Sequence, residues 1–387
     1  MFAMSSRPIY LDHHATTPVD PRVLDAMLPF FTERFGNAAS VNHAYGTDAA
    51  EAVEAARAQV AGLLNASPRD VVFTSGATEA NNLAIKGVMR GGPPGGEFIT
   101  AAAEHRAVLD PAKSLRREGY GVAVLAVDEH AAVDPQRIAD ALTEKTVLVS
   151  IMAANNEVGT LSDVAAIGRM CRARGVLFHT DAVQAVGKVP LDLAELPIDL
   201  LSLSAHKLYG PQGVGALLVR RGDRRIRIAP LVEGGGHERR LRSGTLPLPL
   251  IVGFGQACEL SAEAMPEEAA RLARLRDRLW EGLSRELDGV LLNGHPQRRL
   301  PGNLNVSFDG ADGDALMSAL RGIAVSSGSA CTSADPQPSH VLRAMGRGDA
   351  LTRASLRFGI GRCNTEAEID AATAEVTEVV QRLRQRG

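Results

Sequence analysis

Residues 71–87 of the chain read VVFTSGATEANNLAIKG. A run of β-branched and aromatic residues ends in a turn of small residues, and a helical pattern follows, which is typical of a strand leading into a helix. The same alternation recurs further along, with strand-like runs at Glu97–Ala101, Val122–Val127, Thr146–Met152, Val176–His179, Asp199–Leu203 and Gly215–Val219. This pattern predicts an α/β fold with a mostly parallel, seven-stranded sheet flanked by helices on both faces.

The pattern changes near residue 260. Ala262–Asp288 is a long charged stretch with helical spacing, read as one helix or as two with a break near Pro266. Gly302–Phe308 reads as a strand and Thr365–Gln385 as a closing amphipathic helix. We therefore expect a large α/β domain at residues 15–260 and a smaller α+β domain formed by residues 1–14 and 261–387.

The composition indicates an ordinary globular protein. The 387 residues carry a formal net charge of −3, and only 4% of them are aromatic, so we expect no nucleic-acid partner. The sequence has neither an apolar run of membrane-spanning length nor a signal-peptide pattern, so we expect a cytoplasmic protein without a membrane partner. The four cysteines are far apart and form no C-x-x-C pair, which argues against a zinc site or a disulfide framework.

Polar and ionisable residues follow five of the predicted strands. Because ligands bind outside the carboxyl ends of parallel strands, we expect these segments to meet at one edge of the sheet. They are Ser75–Glu79, Glu104–His105, Asn155–Glu157, His179–Gln184 and Ser204–Lys207.

Each of these residues also has an ordinary structural interpretation. The small-residue turn after residue 74 more often packs a helix against a sheet than it binds a phosphate. His105 alone would be a histidine whose ring nitrogens have ordinary hydrogen-bond partners. Asp181 alone would be a helix cap, and Lys207 a solvated side chain. Together they meet the needs of pyridoxal phosphate, which requires a lysine amine and a carboxylate near its ring nitrogen. Lys207 and Asp181 would fill these roles, and His105 could lie over the ring. The phosphate would rest on Ala77, Thr78, Ser204 and His206.

Six motifs resemble those of the cysteine desulfurases of the NifS/IscS group, which are class V aminotransferase-like, fold type I pyridoxal enzymes. They read SGATEANNLAIKG (75–87), EHRAVLD (104–110), NNEVG (155–159), HTDAVQAVGK (179–188), SAHKLYGPQGVGAL (204–217) and RSGTLP (242–247). The resemblance runs from Leu11 to about Arg384. Its most discriminating part is SSGSACTS at residues 326–333, followed by PSHVL at 338–342.

The resemblance implies a role for each matching residue. Lys207 is the covalent attachment point of the cofactor, and Asp181 pairs with the ring nitrogen. His105 stacks on the ring and transfers protons, while Arg357 clamps the substrate carboxylate. The ring oxygen and the phosphate are contacted by Asn156, Gln184, Ala77, Thr78, Ser204 and His206. Thr245 reaches the phosphate of a neighbouring subunit, which implies a homodimer.

The resemblance also implies the reaction. L-Cysteine is converted into L-alanine, and Cys331, on a loop at about residues 324–340 of the small domain, receives the sulfur as a persulfide. The sulfur then passes to an acceptor protein, for iron–sulfur cluster assembly or tRNA thiolation. Some members of the group carry a C-terminal tail that docks a scaffold protein, and we expect that tail to be missing. The sequence therefore does not identify the protein that accepts the sulfur.

Three alternatives remain at this point. A small-amino-acid aminotransferase or a selenocysteine lyase of the same fold would share Lys207, and a non-catalytic protein could retain the fold alone. The chain departs from the family pattern at Ala38, where proline is usual, and at Ala205, where glycine is common. His13 and His14 fall in a variable segment, and the sequence assigns them no role.

Overall fold

The computed structural model describes residues 7–221, 226–327 and 338–385. Elements from the first part of the chain are, in order, β1 (Ile9–Tyr10), α1 (Pro21–Met27), α2 (Pro29–Thr32), α3 (Ala44–Gly62), β2 (Val71–Thr74), α4 (Ala77–Gly91), β3 (Glu97–Ala101), α5 (Arg106–Arg117), β4 (Gly121–Leu125), α6 (Pro135–Ala141), β5 (Thr146–Ser150), α7 (Val164–Ala173), β6 (Leu177–Asp181), β7 (Leu200–Ser204) and β8 (Gly215–Val219). The remaining elements are α8 (Leu248–Glu286), β9 (Val290–Asn293), β10 (Asn303–Phe308), α9 (Gly313–Ala319), β11 (Ile323–Ala324), α10 (His340–Ala344), α11 (Asp349–Arg353), β12 (Ser355–Gly359) and α12 (Glu366–Arg384).

The largest sheet has seven strands in the order β2-β8-β7-β6-β5-β3-β4. Six of them run in the same direction, and β8 is antiparallel to both of its neighbours. The predicted mostly parallel sheet is therefore confirmed. The carboxyl ends of β2, β3, β5, β6 and β7 meet at one edge, where the polar segments of the sequence follow them.

Both faces of this sheet are buried except at the edge strand β4, whose residues are exposed or half-buried. In β2, Val71 and Phe73 belong to one apolar cluster, whereas Val72 belongs to the cluster on the opposite face. The same division separates Ile99 from Phe98 in β3. This alternation follows from the two-residue period of a strand, and burial on both sides explains why the runs are continuously apolar.

A second, smaller sheet lies in the C-terminal part. Its three antiparallel strands have the order β12-β10-β9, and only β10 corresponds to a strand predicted from the sequence. A third apolar cluster covers it, with residues from α8, α9 and α12 and with Leu11 from the N-terminal segment. The N-terminal strand β1 pairs in parallel with β11, so the two ends of the chain are folded together here.

Helix α8 corrects one prediction. The charge pattern predicted a helix from Ala262, whereas the helix begins at Leu248 and continues through Pro266 without a second start. Its first half, with Ile251, Phe254 and Ala257, is apolar because it packs into the core of the large sheet. Alternating charges therefore mark only the more exposed half of the helix.

Among the described residues, no helix combines the length and the apolar character that a membrane crossing requires.

Candidate active site

A cavity of about 460 Å³ opens at the carboxyl ends of the parallel strands. Its volume lies in the range of small-molecule sites. The structure brings ten of the predicted site residues into its lining: Ala77, Thr78, His105, Asn156, Asp181, Gln184, Ser204, His206, Lys207 and Arg357. Thr245 is exposed and is not among the residues that line the cavity. Cys331 lies outside the described residues.

One wall of the cavity is the N-terminus of α4. Its N-cap residue, Gly76, has a φ of 152° and offers no side-chain hydrogen bond to the helix. That φ favours glycine, and the first N–H groups of a helix have no acceptor within the helix itself. The nearby carboxylate of Glu79 is bound by Ser75 N and by Arg242 Nε, at 2.7 and 2.8 Å. The uncapped end of α4, with Ala77 and Thr78, has the geometry that suits an anion such as a phosphate.

Lys207 lies in a turn of 3-10 helix, Ala205–Lys207, that directly follows β7. Its Nζ donates hydrogen bonds to the backbone oxygens of His14 and Ala15, the second at 2.6 Å. Burial, together with the charge of Lys207, lowers the pKa of the neighbouring His206 to about 4. His206 is therefore neutral at pH 7.

Asp181 lies at the end of β6 and is 5% exposed. Its Oδ2 accepts a hydrogen bond from Asn81 Nδ2 at 2.7 Å, and its Oδ1 accepts one from Val183 N at 3.1 Å. These two bonds fix the orientation of the carboxylate. Burial, with a smaller effect from the charge of Asp181, raises the pKa of Glu104 well above its usual value. Asp181 lines the cavity, whereas Glu104 is not among its lining residues.

His105 is the N-cap residue of α5, and its Nδ1 accepts a hydrogen bond from Ala107 N at 3.1 Å. A ring nitrogen that accepts a backbone N–H has no proton of its own, so neutral His105 carries its proton on Nε2. The strand–helix junction therefore fixes both the position and the tautomer of this histidine.

Arg357 lies on β12 and enters the cavity from the smaller sheet. Its guanidinium Nη1 donates to the backbone oxygen of Asn156 at 3.0 Å, and Nη2 lies 2.8 Å from Asp12 Oδ1. The arginine side chain is 2% exposed. A buried guanidinium in a cavity that also contains a lysine is suited to a ligand carboxylate.

His14 also lines the cavity, although the sequence assigned it no role. Its Nδ1 lies 2.9 Å from Gln184 Oε1, and Gln184 Nε2 donates to its backbone oxygen at 2.9 Å. Burial, together with the charge of Lys188, lowers the pKa of His14 well below its usual value. His13 and His14 come shortly after the apolar run Ile9–Leu11. That run is too short to show the two-residue period of a strand, so the sequence pattern did not mark His14 as a residue at the end of a strand.

The arrangement fits pyridoxal phosphate. The cavity combines an amine, a carboxylate and an uncapped helix N-terminus, which match the aldehyde, the ring nitrogen and the phosphate of that cofactor. Two buried atoms that line the cavity, His14 Nε2 and Asn156 Oδ1, have no hydrogen-bond partner among the residues the structure describes. Unpaired buried polar atoms are unfavourable, so a polar ligand would satisfy both.

A model of the family described as "Aminotransferase class-V" matches residues 9–372. The chain belongs to the class V aminotransferases. It is 54% identical over 379 residues to a cysteine desulfurase IscS of Anaeromyxobacter sp. (strain Fw109-5), covering 98% of this chain and 94% of that protein. Enzymes of this kind depend on pyridoxal phosphate, in agreement with the groups found in the cavity.

Two solved structures of this family share the fold. A NifS-like protein is 38% identical, with a TM-score of 0.90, and the match covers 97% of this chain and 100% of that one. A structure of SspA in complex with cysteine is 35% identical, with a TM-score of 0.81, covering 91% and 98% of the two chains. The architecture around the cavity is thus that of fold type I pyridoxal enzymes.

Proposed function

We propose that the chain is a pyridoxal-phosphate-dependent cysteine desulfurase that converts L-cysteine into L-alanine and transfers the sulfur to Cys331. The observation that carries the proposal is the convergence of Lys207, Asp181, the N-terminus of α4 and Arg357 on one cavity. The identity of 54% to a curated cysteine desulfurase over nearly the whole chain supports the same reaction.

Four residues would hold and orient the reactants. The bound cofactor supplies an electron sink for the carbanion that forms when the substrate loses its Cα proton. Lys207 Nζ would hold the cofactor and take that proton, while Asp181 would keep the ring nitrogen protonated. His105, with its proton on Nε2, moves a proton at the ring face. Arg357 orients the substrate through its carboxylate.

The remaining cofactor contacts follow from the walls of the cavity. Ala77 and Thr78 bind the phosphate through the helix N-terminus, together with Ser204 and His206 on the facing turn. Gln184 and Asn156 bind the oxygen side of the ring. Such contacts would hold the cofactor between the large sheet and Arg357 of the smaller one.

Cys331 would act as the sulfur acceptor. Its thiolate forms a bond to the substrate sulfur, the Cβ–S bond of the substrate breaks, and the remaining carbon skeleton is protonated to L-alanine. The described residues on both sides of Cys331 contact the cavity region. Ser326 Oγ donates to Asp12 Oδ2 at 3.1 Å, and Ser339 Oγ donates to Glu157 Oε2. These two hydrogen bonds hold the residues on either side of the Cys331 segment near the cavity, which supports the proposed role of Cys331.

The experiment that tests the proposal is a Cys331→Ala variant assayed for sulfide release from L-cysteine. We expect release to be lost while the protein keeps its yellow cofactor. Cys363→Ala is the matched control, because Cys363 is exposed and does not line the cavity, and it should release sulfide normally. Unchanged release by Cys331→Ala would contradict the transfer of sulfur to Cys331. An aminotransferase would release no sulfide and would keep its transamination turnover in this variant, and faster turnover of selenocysteine than of cysteine would favour a selenocysteine lyase.

The working unit is proposed to be a homodimer in which Thr245 of one copy reaches the cofactor phosphate of the other. Thr245 is exposed and lies outside its own cavity lining. A group of large apolar side chains in the N-terminal region is also exposed, which is typical of a surface covered in an assembly: Leu24, Leu28, Phe31, Phe35, Val41 and Tyr45. Sedimentation of the cofactor-loaded protein tests this assembly, and a monomer would contradict it.

The division of the chain is also part of the proposal. Residues 15–260 would form the cofactor domain, and residues 1–14 with 261–387 the smaller domain that carries Cys331. The separate apolar clusters of the two sheets support this division. We further propose that the enzyme acts in the cytoplasm and passes its sulfur to an acceptor protein, for iron–sulfur clusters or thiolated tRNA. Labelled sulfur on Cys331 would identify that acceptor by its transfer.

A further inference from the structure

The hydrogen bonds of Arg357 constrain how a carboxylate can bind to it. A guanidinium has five N–H groups, and Nη1 lies on the same side as the side-chain stem. The two edges that can hold a carboxylate through a pair of hydrogen bonds are therefore Nε with Nη2, and Nη1 with Nη2. Both edges include Nη2, so the partners of Nη2 decide whether either edge can accept a ligand.

Nη2 already has two acceptors within the protein. It donates to Asp12 Oδ1 at 2.8 Å and lies 3.3 Å from Ser326 Oγ. Nε, in contrast, is buried and has no partner in the described part of the chain. A substrate carboxylate that binds through two hydrogen bonds therefore competes with Asp12 and Ser326 for Nη2.

Asp12 is held in position by its own neighbours. Its backbone forms a bridge with Gly359, two residues after Arg357, and its backbone oxygen accepts hydrogen bonds from Ala15 N and Tyr10 Oη. Its Oδ2 accepts a hydrogen bond from Ser326 Oγ at 3.1 Å. The negative charge consequently stays near the guanidinium when another carboxylate enters.

We propose that Asp12 is an internal competitor for the carboxylate clamp, and that it sets the affinity of the site for α-amino acids. This inference rests on the proposed role of Arg357. Asp12 stabilises the buried guanidinium before the substrate binds, because an unpaired buried charge is strongly unfavourable. The incoming carboxylate exchanges with Asp12 on Nη2 and is repelled by its charge, so Asp12 weakens the binding of both substrate and product.

Asp12→Asn tests the proposal, because asparagine retains the shape and the bond to Ser326 but removes the charge. We expect the KM for L-cysteine to fall about tenfold, with kcat changed by less than about twofold. L-Alanine should bind about tenfold more tightly to the cofactor-loaded protein, as followed by its visible absorption. The same gain is expected when 3-mercaptopropionate is titrated calorimetrically into the cofactor-free protein.

Asp20→Asn is the matched control. Like Asp12, Asp20 is paired with an arginine at or near the end of β12, with its Oδ2 2.8 Å from Arg362 Nη1, but Arg362, unlike Arg357, does not line the active-site cavity. This variant should leave the KM unchanged. Cysteamine, a thiol amine without a carboxylate, should inhibit the Asp12→Asn variant and the unmodified protein equally.

Arg357→Lys distinguishes the proposed role of Arg357 from the proposed role of Asp12. A higher KM in this variant supports the clamp, and an unchanged KM overturns the proposed role of Arg357. If Arg357→Lys raises the KM but Asp12→Asn binds carboxylates equally or more weakly, the competitor role of Asp12 is wrong and the clamp remains. Asp12→Ser serves as a second uncharged variant should the asparagine protein fail to fold, and it is expected to tighten binding in the same way.

Discussion

Gln184 and His14 are joined by two hydrogen bonds, although 170 positions separate them in the chain. The amide oxygen of Gln184 can only accept, so Nδ1 of His14 is the donor and Nε2 is the unprotonated nitrogen of the neutral ring. Lys188 Nζ donates to the same amide oxygen at 3.1 Å. This pairing fixes the orientation of the glutamine side chain in the wall of the cavity.

Replacing His14 with alanine should weaken cofactor binding. The variant loses one of the bonds that orient Gln184, and we expect the dissociation constant of pyridoxal phosphate to rise about tenfold, in line with the loss of one buried hydrogen bond. Fluorescence titration of the cofactor-free protein measures it. His43→Ala is the control, because His43 is an exposed N-cap of α3. Equal affinity in the His14 variant and the unmodified protein would contradict the prediction.

Asp181→Asn should retain the cofactor but lose most of the activity. The neutral amide can still bond to Asn81, but it no longer stabilises a protonated ring nitrogen. We expect kcat for alanine formation to fall about 10²-fold, as for other preorganised electrostatic contacts. The visible spectrum should still show cofactor attached through Lys207. Asp163→Asn, at the exposed cap of α7, is the control and should retain full activity; comparable rates in both variants would argue against the ring-nitrogen role.

Protein stability should fall as the pH is lowered below neutrality, and His179 should contribute to the fall. This residue is fully buried between Ser150 and Ser202, and burial lowers its pKa from 6.5 to about 3. Between these two values the unfolded chain binds a proton that the folded chain does not, so the free energy of unfolding decreases as the pH falls through this window.

A His179→Gln variant isolates this contribution. We expect the pH dependence of its unfolding free energy between about pH 4.5 and 6.5 to be flatter by up to about 1.4 kcal/mol per pH unit. Urea unfolding at several pH values measures the slope. A slope identical to that of the unmodified protein would show that His179 does not contribute.

The described cysteines should differ in their reactivity. Burial, followed by the nearby charge of Asp199, raises the pKa of Cys171 to about 12, and burial raises the pKa of Cys258 as well. Cys363, in contrast, is exposed. Because the thiolate is the reactive form, iodoacetamide at pH 8 should modify Cys363 in the folded protein and spare Cys171 and Cys258. Mass spectrometry locates the modification, and early labelling of either buried cysteine would refute this assignment.

The sequence was most informative where the structure is periodic. The strands of the large sheet are buried on both faces, so their apolar runs were visible, and the residues after them led to Lys207 and Asp181. Arg357 came only from the family resemblance, because β12 is fully buried and no polar pattern marks it. The roles of Asp12 and His14 depend on contacts with residues more than 150 positions away, which no local pattern encodes.

Helix α8 also connects the apolar cores of the two sheets. At 1.5 Å per residue, its 39 residues form a rod about 58 Å long. One half is embedded in the core of the large sheet and the other, from Leu272 onward, in the core of the smaller one. The core behind the Lys207 wall and the core behind the Arg357 wall are therefore packed against one continuous helix. Pro266 lies between the two embedded halves and lacks a backbone donor, so the helix has one hydrogen bond fewer at the point where it passes from one core to the other.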